Sequence, residues 1–469
     1  MTPLLVLNVV GLTRDLLSRF HLRAKNISAL GNEGSSCFLR VPTPAVTCTV
    51  QSTILTGLMP REHGIVANGW YFRDLAEVHF WKQSNALVQG EKIWQAAKKR
   101  DKTFTSAQLF WWFNMHSGND VAVTPRPAHR PDGSLISLTY TDPPELAAQL
   151  DAELGRFPLF KFWGPDAGIG SSEWIDKCSR IVMRRFSPTL TLVYLPHLDY
   201  NLQRLGPNDP RIGDDLEAVD KIVGRLADEA RSKGAEVVVL SEYGISQVSG
   251  AVDVNRILRR AGYLSVQQQA GRELLDCGAS RAFAVSDHQI AHVYIKESAD
   301  VQPVQALLRK TSGIERVLDG AGIRELGLDH SRSGELVAIS SADRWFTYYY
   351  WEDDTKAPPW AHEVDIHNKP GYDPVELFLD PKARLIVPRI LSRLAMRKLG
   401  FRVTVMDFIP FDSTLVKGSH GRAADRQETG PLLITSAKNV PFPATMDAIQ
   451  VKSYLLDRLF GACQLKEDE

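Results

Sequence analysis

The chain has 469 residues, of which 44% are hydrophobic and 23% are charged, so it carries enough apolar material for a large folded core. Lysine plus arginine and aspartate plus glutamate both number 55, and this zero net charge argues against a nucleic-acid polymer as partner, since such binding usually relies on a basic excess. No apolar run approaches the roughly 18 residues that span a membrane, so we expect no membrane partner.

The first ten residues are apolar but lack the basic start and the small-residue cleavage site of a signal peptide. They therefore predict a buried first strand. The five cysteines are scattered and form no Cys-x-x-Cys pair: Cys37, Cys48, Cys178, Cys277 and Cys463. Reduced thiols in a cytoplasmic protein are the simplest interpretation.

Three short runs rich in valine and leucine, 4–10, 190–195 and 236–240, predict buried parallel strands. Residues 214–233 between the last two runs have the apolar stripe of an amphipathic helix. Strand, helix and strand at this spacing indicate a βαβ unit and an α/β fold. Because ligands of such folds bind at the carboxyl ends of the strands, we expect the functional site near 10–11, 196–199 and 241–244.

The middle of the chain is less regular. Helix-like patterns at 252–261 and 304–310 flank an alternating stretch at 283–295. We therefore expect a core formed by 1–250 and 340–469, with 251–339 as an inserted cap-like segment. The aromatic run 345–351 predicts a strand that either packs at the edge of the core or forms a wall of the substrate pocket. Residues 385–398 predict a helix, and 402–407 a late strand.

The most informative segment surrounds Thr47, which precedes a short helical pattern that ends at Gly57. A hydroxyl at a helix N-terminus faces unpaired N–H groups and the positive end of the helix dipole. This environment favours an alkoxide and an incoming phosphate together. The alternative is that Thr47 merely caps the helix.

Four motifs occur in an ordered series. Thr47 stands nine residues before Thr-Gly-Leu-Met-Pro-Arg-Glu-His-Gly at 56–64, and Asp199 is followed by a Gly-Pro pair at 206–207. Ser-Glu-Tyr-Gly follows at 241–244 and Gly-Ser-His-Gly at 418–421. Together these motifs resemble the type I phosphodiesterase / nucleotide pyrophosphatase branch of the alkaline phosphatase superfamily. The resemblance implies a three-layer sandwich with a mostly parallel central sheet and an inserted cap.

The resemblance also implies two divalent metals, often zinc, that activate the threonine. Carried over, the first metal would take Asp199, His420 and the family's middle histidine, which here is Gln203. The second would take Thr47, two aspartates and a histidine. The positions that match the family's Asp-His pair follow the run 236–240 and are Glu242 and Tyr243. The remaining aspartate position is Val10, and the family's phosphate-binding asparagine is Val50.

These departures change the expected cofactor. Val10 offers no lone pair, and the carbonyl oxygen of Gln203 suits Mg²⁺ or Mn²⁺ better than Zn²⁺. We therefore expect one divalent ion or an oxygen-rich pair, of zinc, manganese or magnesium. Asn8 lies two residues before Val10 and so shares its face of the strand. Asn8 and Gln51 are candidate substrate-binding residues.

Other side chains are candidates for the roles of the missing metal and substrate ligands. Asp365 and His367 share one side of an extended segment and either complete a metal site or stabilise a loop by hydrogen bonds. His197 lies two residues before Asp199 and either joins the metal site or is structural. Arg332 either clamps a phosphate or anchors a turn. Trp111 and Trp112, in an aromatic loop, either stack on the substrate or belong to the core.

The leading interpretation is two-step hydrolysis, in which Thr47 attacks phosphorus and water then cleaves the phosphothreonine. We expect the substrate to be a small-molecule phosphate ester, either a phosphodiester or a nucleotide pyrophosphate. A phosphonate substrate is a further alternative. A homo-oligomeric state is also an alternative. One alternative is a degenerate member that serves as a binding or partner protein in a biosynthetic pathway. Another is a specialised phosphoryl-transfer enzyme. A sulfatase is disfavoured, because the sequence after Cys48 lacks the Pro and Arg needed to form formylglycine.

Overall fold

The computed structural model describes residues 1–129, 135–382, 386–401, 409–438 and 441–461. Its largest element is a nine-stranded sheet, which we label in chain order: β1 Leu4–Val9, β2 Ser35–Arg40, β3 Ser106–Leu109, β4 Val121–Pro125, β5 Thr139–Asp142, β6 Leu190–Leu195, β7 Glu236–Leu240, β8 Leu432–Thr435 and β9 Thr445–Asp447. The spatial order is β9-β2-β8-β7-β1-β6-β3-β4-β5.

The centre of this sheet is parallel. β1 lies between β6 and β7 and pairs with both in parallel, and β3 and β4 continue the parallel arrangement beyond β6. The residues of β1 are buried because neighbouring layers cover both faces. Antiparallel pairing occurs where β8 joins β7 and β2, and where β5 joins β4. The predicted α/β class with a mostly parallel sheet is confirmed.

The helices surround this sheet. The α-helices are Arg14–Arg19, Lys25–Glu33, Thr47–Thr56, Pro60–His63, Ile93–Arg100, Leu146–Leu154, Ile169–Phe186, His197–Leu205, Ile212–Arg231, Val254–Arg260, Ser298–Arg309, Gly320–Glu325, Ile386–Lys398 and Ala448–Phe460. The helix predicted at 214–233 corresponds to Ile212–Arg231, whose apolar stripe packs against β1 and β7. We call Thr47–Thr56 the Thr47 helix and His197–Leu205 the Asp199 helix.

The segment 251–339 contributes a second sheet of four antiparallel strands, in the order Ala282–Asp287, Ile290–Ile295, Leu336–Ser340 and Ile314–Leu318. We call it the cap sheet. The alternating stretch predicted at 283–295 is two strands, because the chain turns at His288 with a positive φ of 58°. Left-handed backbone is uncommon for residues other than glycine, so the hydrophobic pattern did not reveal this turn.

Short strand pairs complete the structure: Gly69–Phe72 with Glu77–Phe80, Ala128–His129 with Leu135–Ile136, Ser246–Gln247 with Gly418–Ser419, Gly250–Val252 with Arg344–Phe346, and Val266–Gln269 with Arg272–Leu275. The aromatic run 345–351 therefore joins a strand only at its start. The 3-10 helices are Asn85–Leu87, Leu159–Lys161, Asp354–Lys356, Pro359–His362, Pro374–Leu377, Ser413–Leu415 and Gln427–Thr429. The strand predicted at 402–407 lies outside the described residues.

Among the residues that the structure describes, no helix is both long and apolar enough to cross a lipid bilayer.

Candidate active site

Thr47 is the first residue of its helix and is almost fully buried. The N-cap is Val46, whose backbone is extended, and no side-chain capping bond forms there. The Thr47 hydroxyl is therefore not used to cap the helix and is available for chemistry. As expected from the sequence, the helix ends at Gly57, which adopts a left-handed conformation with φ 70°.

The rest of the motif at 56–64 supports the Thr47 helix. Pro60 opens the next short helix, and Gly64 closes it in a left-handed conformation. The Nε2 of His63 lies 3.0 Å from the Thr53 hydroxyl on the Thr47 helix, and its Nδ1 accepts the N–H of Ile65. Burial lowers the pKa of His63 to about 3, so the ring is neutral. This histidine fixes the helix and does not reach the site.

The Thr47 hydroxyl lies in a network of acidic and phenolic groups. Its Oγ1 is 3.3 Å from the phenol oxygen of Tyr243 and also interacts with the Tyr194 phenol and the Glu242 carboxyl. Tyr243 donates its own proton to Asp199 Oδ1 at 3.3 Å. The hydroxyl proton of Thr47 can therefore point to the Tyr243 oxygen, which gives a chain of hydrogen bonds from Thr47 to Asp199.

Glu242 follows the carboxyl end of β7 and is completely buried. Its Oε1 accepts hydrogen bonds from the side-chain amides of Asn8 on β1 and Gln51 on the Thr47 helix. The Gln51 carbonyl in turn accepts the backbone N–H of Trp112 at 2.7 Å. Burial raises the pKa of Glu242 to about 8, and the two amide bonds offset only part of that rise.

Asp199 lies in the first turn of the Asp199 helix, just beyond the carboxyl end of β6. Its Oδ2 accepts the side-chain amide of Gln203, one helical turn later, at 2.6 Å. Burial raises the pKa of Asp199 to about 6, which opposes the effect of its hydrogen bonds and of nearby His288. Asp199 and Glu242 are thus both held by amide donors.

His420 reaches the site from the end of the chain, because Gly418–Ser419 pairs with Ser246–Gln247 just after Tyr243. Its Nδ1 donates to the Ala45 carbonyl at 3.0 Å, which leaves Nε2 as the lone-pair nitrogen. The ring stacks on Tyr243 with a centroid distance of 3.7 Å and an interplanar angle of 4°. Burial holds the pKa of His420 well below its usual range.

The cap sheet adds His288, whose place in the site no sequence motif predicted. Its Nδ1 lies 2.9 Å from Asp287 Oδ1, and its ring lies 3.9 Å from that of His420. Asp287 also accepts hydrogen bonds from the backbone and the side chain of Asn68. Asn68 in turn accepts the backbone N–H of Cys48, the residue after Thr47, at 2.9 Å. The turn at His288 is therefore tied to the Thr47 helix.

A narrow cavity of about 30 Å³ opens beside the Thr47 hydroxyl. One side carries the polar groups just described, and the other is largely aromatic. The lining residues are Thr47, Trp81, Trp112, Phe162, Trp163, Tyr194, Pro196, Asp199, Tyr200, Gln203, Tyr243, His288, Ile366 and His420. Trp112, considered from the sequence as a stacking or core residue, is one of these.

The candidate residues Asp365 and His367 lie elsewhere. Asp365 pairs with His129, and His367 packs against Trp112 with ring centroids 5.9 Å apart. Asp365 and His367 line a separate cavity of about 20 Å³ rather than the cavity at Thr47.

Two further candidates also have partners of their own. The Nε2 of His197 lies 3.1 Å from Asp215, so this histidine faces the neighbouring helix. Arg332 donates to the carbonyls of Gly64 and Leu87, and its guanidinium lies over a tryptophan ring. These contacts correspond to the structural alternatives considered for both residues.

The donor set can be tested against the metals that the resemblance implies. Within the described ranges, no group of three or more histidine, cysteine, aspartate or glutamate side chains is placed to hold a metal ion. Val10 is fully buried and offers no ligand atom. A pair of zinc ions, which prefers imidazole and thiolate or a dense carboxylate set, therefore does not fit.

The site also contains buried oxygen atoms without hydrogen-bond donors. Three buried acceptors, Asn8 Oδ1, Gln203 Oε1 and Glu242 Oε2, have no hydrogen-bond partner in the part of the chain that the structure describes. Buried oxygen atoms without a donor are costly. Amide and carboxylate oxygens are also the ligands that Mg²⁺ and Mn²⁺ prefer.

Comparison with known proteins supports the resemblance seen in the sequence. The family model for type I phosphodiesterase / nucleotide pyrophosphatase matches residues 4–373. An uncharacterized pyrophosphatase/phosphodiesterase of Schizosaccharomyces pombe is 24% identical over 310 residues, which cover 63% of this chain and 54% of that protein. Ectonucleotide pyrophosphatase/phosphodiesterase family member 3 of Rattus norvegicus is 22% identical over 258 residues, covering 53% of this chain and 25% of that protein. The chain thus spans about half the length of the first relative and a quarter of the second.

Two solved structures share the fold along nearly the whole chain. Phosphonoacetate hydrolase from Sinorhizobium meliloti 1021, in complex with phosphonoformate, gives a TM-score of 0.61 at 15% identity, with 98% of this chain and 96% of that chain covered. Murine ectonucleotide pyrophosphatase / phosphodiesterase 5 gives a TM-score of 0.59 at 15% identity, with 97% and 95% covered.

Proposed function

We propose that this chain, which belongs to the type I phosphodiesterase / nucleotide pyrophosphatase family, hydrolyses phosphate or phosphonate esters of small molecules with Thr47 as nucleophile. The observation that carries this proposal is the position of the Thr47 hydroxyl. It lies at the N-terminus of a ten-residue helix, does not cap that helix and faces a cavity lined by Asp199, Tyr243 and His420. The helix dipole favours both an alkoxide and a bound phosphoryl group there.

In the first step, Thr47 Oγ1 forms a bond to phosphorus while the bond from phosphorus to the leaving oxygen breaks. The Thr47 proton passes along the Tyr243 phenol to Asp199, and the leaving oxygen takes a proton from solvent. In the second step, water attacks phosphorus, and the bond from phosphorus to Thr47 breaks. Thr47 regains its proton by the same route, while the attacking water loses one to solvent.

We also propose that the site takes one divalent cation, Mg²⁺ or Mn²⁺, rather than two zinc ions. Glu242, Asn8 and Gln203 would hold it through the oxygen atoms that lack partners. When bound, such an ion supplies Lewis-acid polarisation of a phosphoryl oxygen.

The neighbouring structures suggest two substrate classes. One is a hydrolase in complex with phosphonoacetate, and another is an inactive form of the murine protein in complex with AMP. We therefore propose phosphonates, phosphodiesters and nucleotide pyrophosphates as the compounds to test. The four described cysteines are free thiols, which supports a reducing, cytoplasmic location.

A second candidate function is a binding or partner protein that has lost catalysis. It is favoured by the amide groups of Asn8, Gln51 and Gln203, which donate to the two carboxylates where metals would otherwise bind. In this case the site would recognise a phosphorylated ligand without cleaving it.

The proposed function is tested with bis(p-nitrophenyl) phosphate and p-nitrophenyl methylphosphonate, in magnesium and in manganese. We expect release of nitrophenol by the wild-type protein, none by Thr47→Ala, and a reduced rate for Thr47→Ser, which keeps the hydroxyl. Undiminished turnover by Thr47→Ala would exclude Thr47 as nucleophile. Absence of metal in protein purified without chelator, together with no hydrolysis of either ester, would favour the binding protein.

A further inference from the structure

The helix Ile386–Lys398 exposes apolar side chains to solvent. Leu391 is 61% exposed, and Leu394, three residues later, is an exposed neighbour on the same face of the helix. Leu399, directly after the helix, is 77% exposed. A surface helix of a folded protein ordinarily turns such side chains towards the core. Among the side chains that the structure describes, none from this helix belongs to the hydrophobic core.

The end of this helix adds a further apolar side chain to the exposed surface. Gly400 has a left-handed φ of 87°, and the N–H of Phe401 donates to the carbonyl of Met396. This bond is typical of the Schellman motif, in which a glycine stops the helix and turns the chain sharply. The side chains of Met396 and Phe401 are both exposed. The exposed apolar surface therefore continues past the last helical turn.

The part of the chain that carries this helix is fixed to the body of the protein on both sides. Val375 precedes it and Ile409 follows it, and both belong to one small cluster of buried side chains. The carbonyl of Leu377 also accepts a hydrogen bond from Arg204 on the Asp199 helix. The chain therefore leaves the body and returns to it at one place, and the helix lies between these two points.

The charge of this part of the chain is one-sided. Residues 381–406 contain two lysines and five arginines but no aspartate or glutamate, whereas the whole chain carries 55 basic and 55 acidic residues. Lys398, in the last turn of the helix, is exposed like the apolar side chains near it. Exposed leucines combined with an excess of basic residues are typical of helices that lie in the headgroup region of an anionic membrane.

Two other occupants of this surface fit the observations less well. A second copy of the chain in a two-fold contact would oppose two identical basic segments, and like charges repel. A nucleic acid would attract the basic residues but would leave Leu391, Leu394 and Leu399 exposed. An anionic lipid surface accounts for both features, because its headgroups attract the positive charge and its acyl boundary takes up the leucines.

We propose that the helix Ile386–Lys398 docks this protein on the surface of a membrane that contains anionic lipids. The helix lies in the plane of the interface, with Leu391, Leu394 and Leu399 inserted at the level of the headgroups. The expectation of no membrane partner came from the length of the apolar runs, which concerns segments that span a bilayer, whereas a helix in the interface needs no such length. This inference does not depend on the proposed function.

Flotation of the full-length protein with lipid vesicles tests the proposal directly. We expect the wild type to float with vesicles made of equal parts phosphatidylcholine and phosphatidylglycerol, and to stay unbound with phosphatidylcholine alone. Added salt should weaken binding to the anionic vesicles, because it screens the charge of the headgroups. Failure of the wild type to float with the anionic vesicles would overturn the proposal.

Substitutions identify the surface that binds. Leu391→Asp and Leu399→Asp are each expected to weaken binding more than about tenfold, because a carboxylate replaces an inserted apolar side chain. Leu22→Asp is the matched control, since Leu22 is 72% exposed in another part of the chain. Lys398→Glu should weaken binding about fivefold or more, and Lys102→Glu, at another exposed lysine, should not. Undiminished binding by both leucine variants would exclude this helix as the docking surface.

Sedimentation without lipid distinguishes the membrane from a second copy of the chain. We expect the wild type and Leu391→Asp to have the same oligomeric state, because the leucine face is not a contact between copies. A wild-type dimer that Leu391→Asp converts to a monomer, together with no flotation on anionic vesicles, would assign this face to a second copy and overturn the proposal.

Discussion

The phenol ring of Tyr243 lies parallel to the imidazole of His420, with centroids 3.7 Å apart and planes 4° from parallel. This stack aims the Tyr243 hydroxyl between Thr47 Oγ1 and Asp199 Oδ1, at 3.3 Å from each. Tyr243 therefore joins the proposed nucleophile to an acid by hydrogen bonds, at a position that the sequence resemblance assigns to a metal-binding histidine.

Tyr243→Phe keeps the stack on His420 and removes the hydroxyl. We expect hydrolysis of a chromogenic ester to fall about tenfold or more, because the proton route from Thr47 to Asp199 is cut. The free energy of unfolding should fall by about 1 kcal/mol, as for one lost hydrogen bond. Tyr454→Phe is the matched control, since it removes a buried phenol hydroxyl that does not line the cavity at Thr47. Unchanged kcat in Tyr243→Phe would contradict the route.

Gln203→His combined with Tyr243→His places two imidazoles at positions where the sequence resemblance implies histidine. We expect this double variant to retain more zinc than the wild type after purification in zinc and desalting, since imidazole is a good zinc ligand. Metal content per protein measures the effect. Gln268→His, which adds a histidine at an exposed site, controls for non-specific binding. Equal zinc content in all three proteins would show that the ligand geometry has been lost as well.

Addition of Mg²⁺ or Mn²⁺ to chelator-treated protein is expected to raise Tm, because a ligand that binds the native state stabilises it by about RT ln(1 + [L]/Kd). The shift should disappear in Glu242→Gln, which removes the charged oxygen from the proposed cation site. It should persist in Glu217→Gln, a change at a partly exposed helix position. A full shift in Glu242→Gln would place the cation elsewhere.

The carboxyl group of Asp373 makes the free energy of unfolding depend on pH, independently of the candidate active site. Burial raises its pKa to about 7, so the folded state favours the protonated form. The unfolded chain loses this proton near its ordinary pKa of about 4, so the wild-type protein loses stability as pH rises from about 4 to 7.

Asp373→Asn keeps an N-cap side chain and is neutral at every pH. Its unfolding free energy relative to wild type should therefore grow between about pH 4 and 7 and then level off. Asp319→Asn is the control, because Asp319 is an N-cap whose pKa is lowered by backbone hydrogen bonds. Urea unfolding across this range measures both, and parallel profiles for the two variants would contradict the assignment.

His63→Ala tests whether the histidine of the motif at 56–64 is structural. We expect a loss of about 1–3 kcal/mol in unfolding free energy, because the Thr53 hydroxyl and the Ile65 N–H lose a buried partner. Phosphate affinity of the folded variant should match that of the wild type. Weakened phosphate binding with full stability would instead place His63 in the site.

The core of the fold follows directly from the sequence. The three valine- and leucine-rich runs correspond to β1, β6 and β7 within one residue at each end, because a strand buried on both faces is apolar along its whole length. The cap sheet was harder to predict. Its first two strands read as one alternating segment, since the turn depends on a left-handed histidine rather than on glycine.

In the candidate site too, some residues could be predicted from the sequence and others depend on how the chain packs. Asp199 and Glu242 meet beside Thr47 because they follow the parallel strands β6 and β7, which flank β1 and end at the same edge of the sheet. His420 reaches the same site from a short strand pair outside that sheet. Asp365 could not be excluded from the sequence, since its partner His129 lies far away along the chain. The contribution of His288 likewise depends on how the cap sheet packs, which spacing in the sequence does not specify.

Hydrogen bonds join Cys48 to Asn68 and Asn68 to Asp287, and so connect the Thr47 helix to the cap sheet. Asn68 and Asp287 are 219 positions apart, yet together they hold the first turn of the Thr47 helix and the turn at His288. The position of the proposed nucleophile is therefore coupled to the packing of segment 251–339 against the large sheet. A change that displaces Asp287 is expected to disturb the first turn of the Thr47 helix as well.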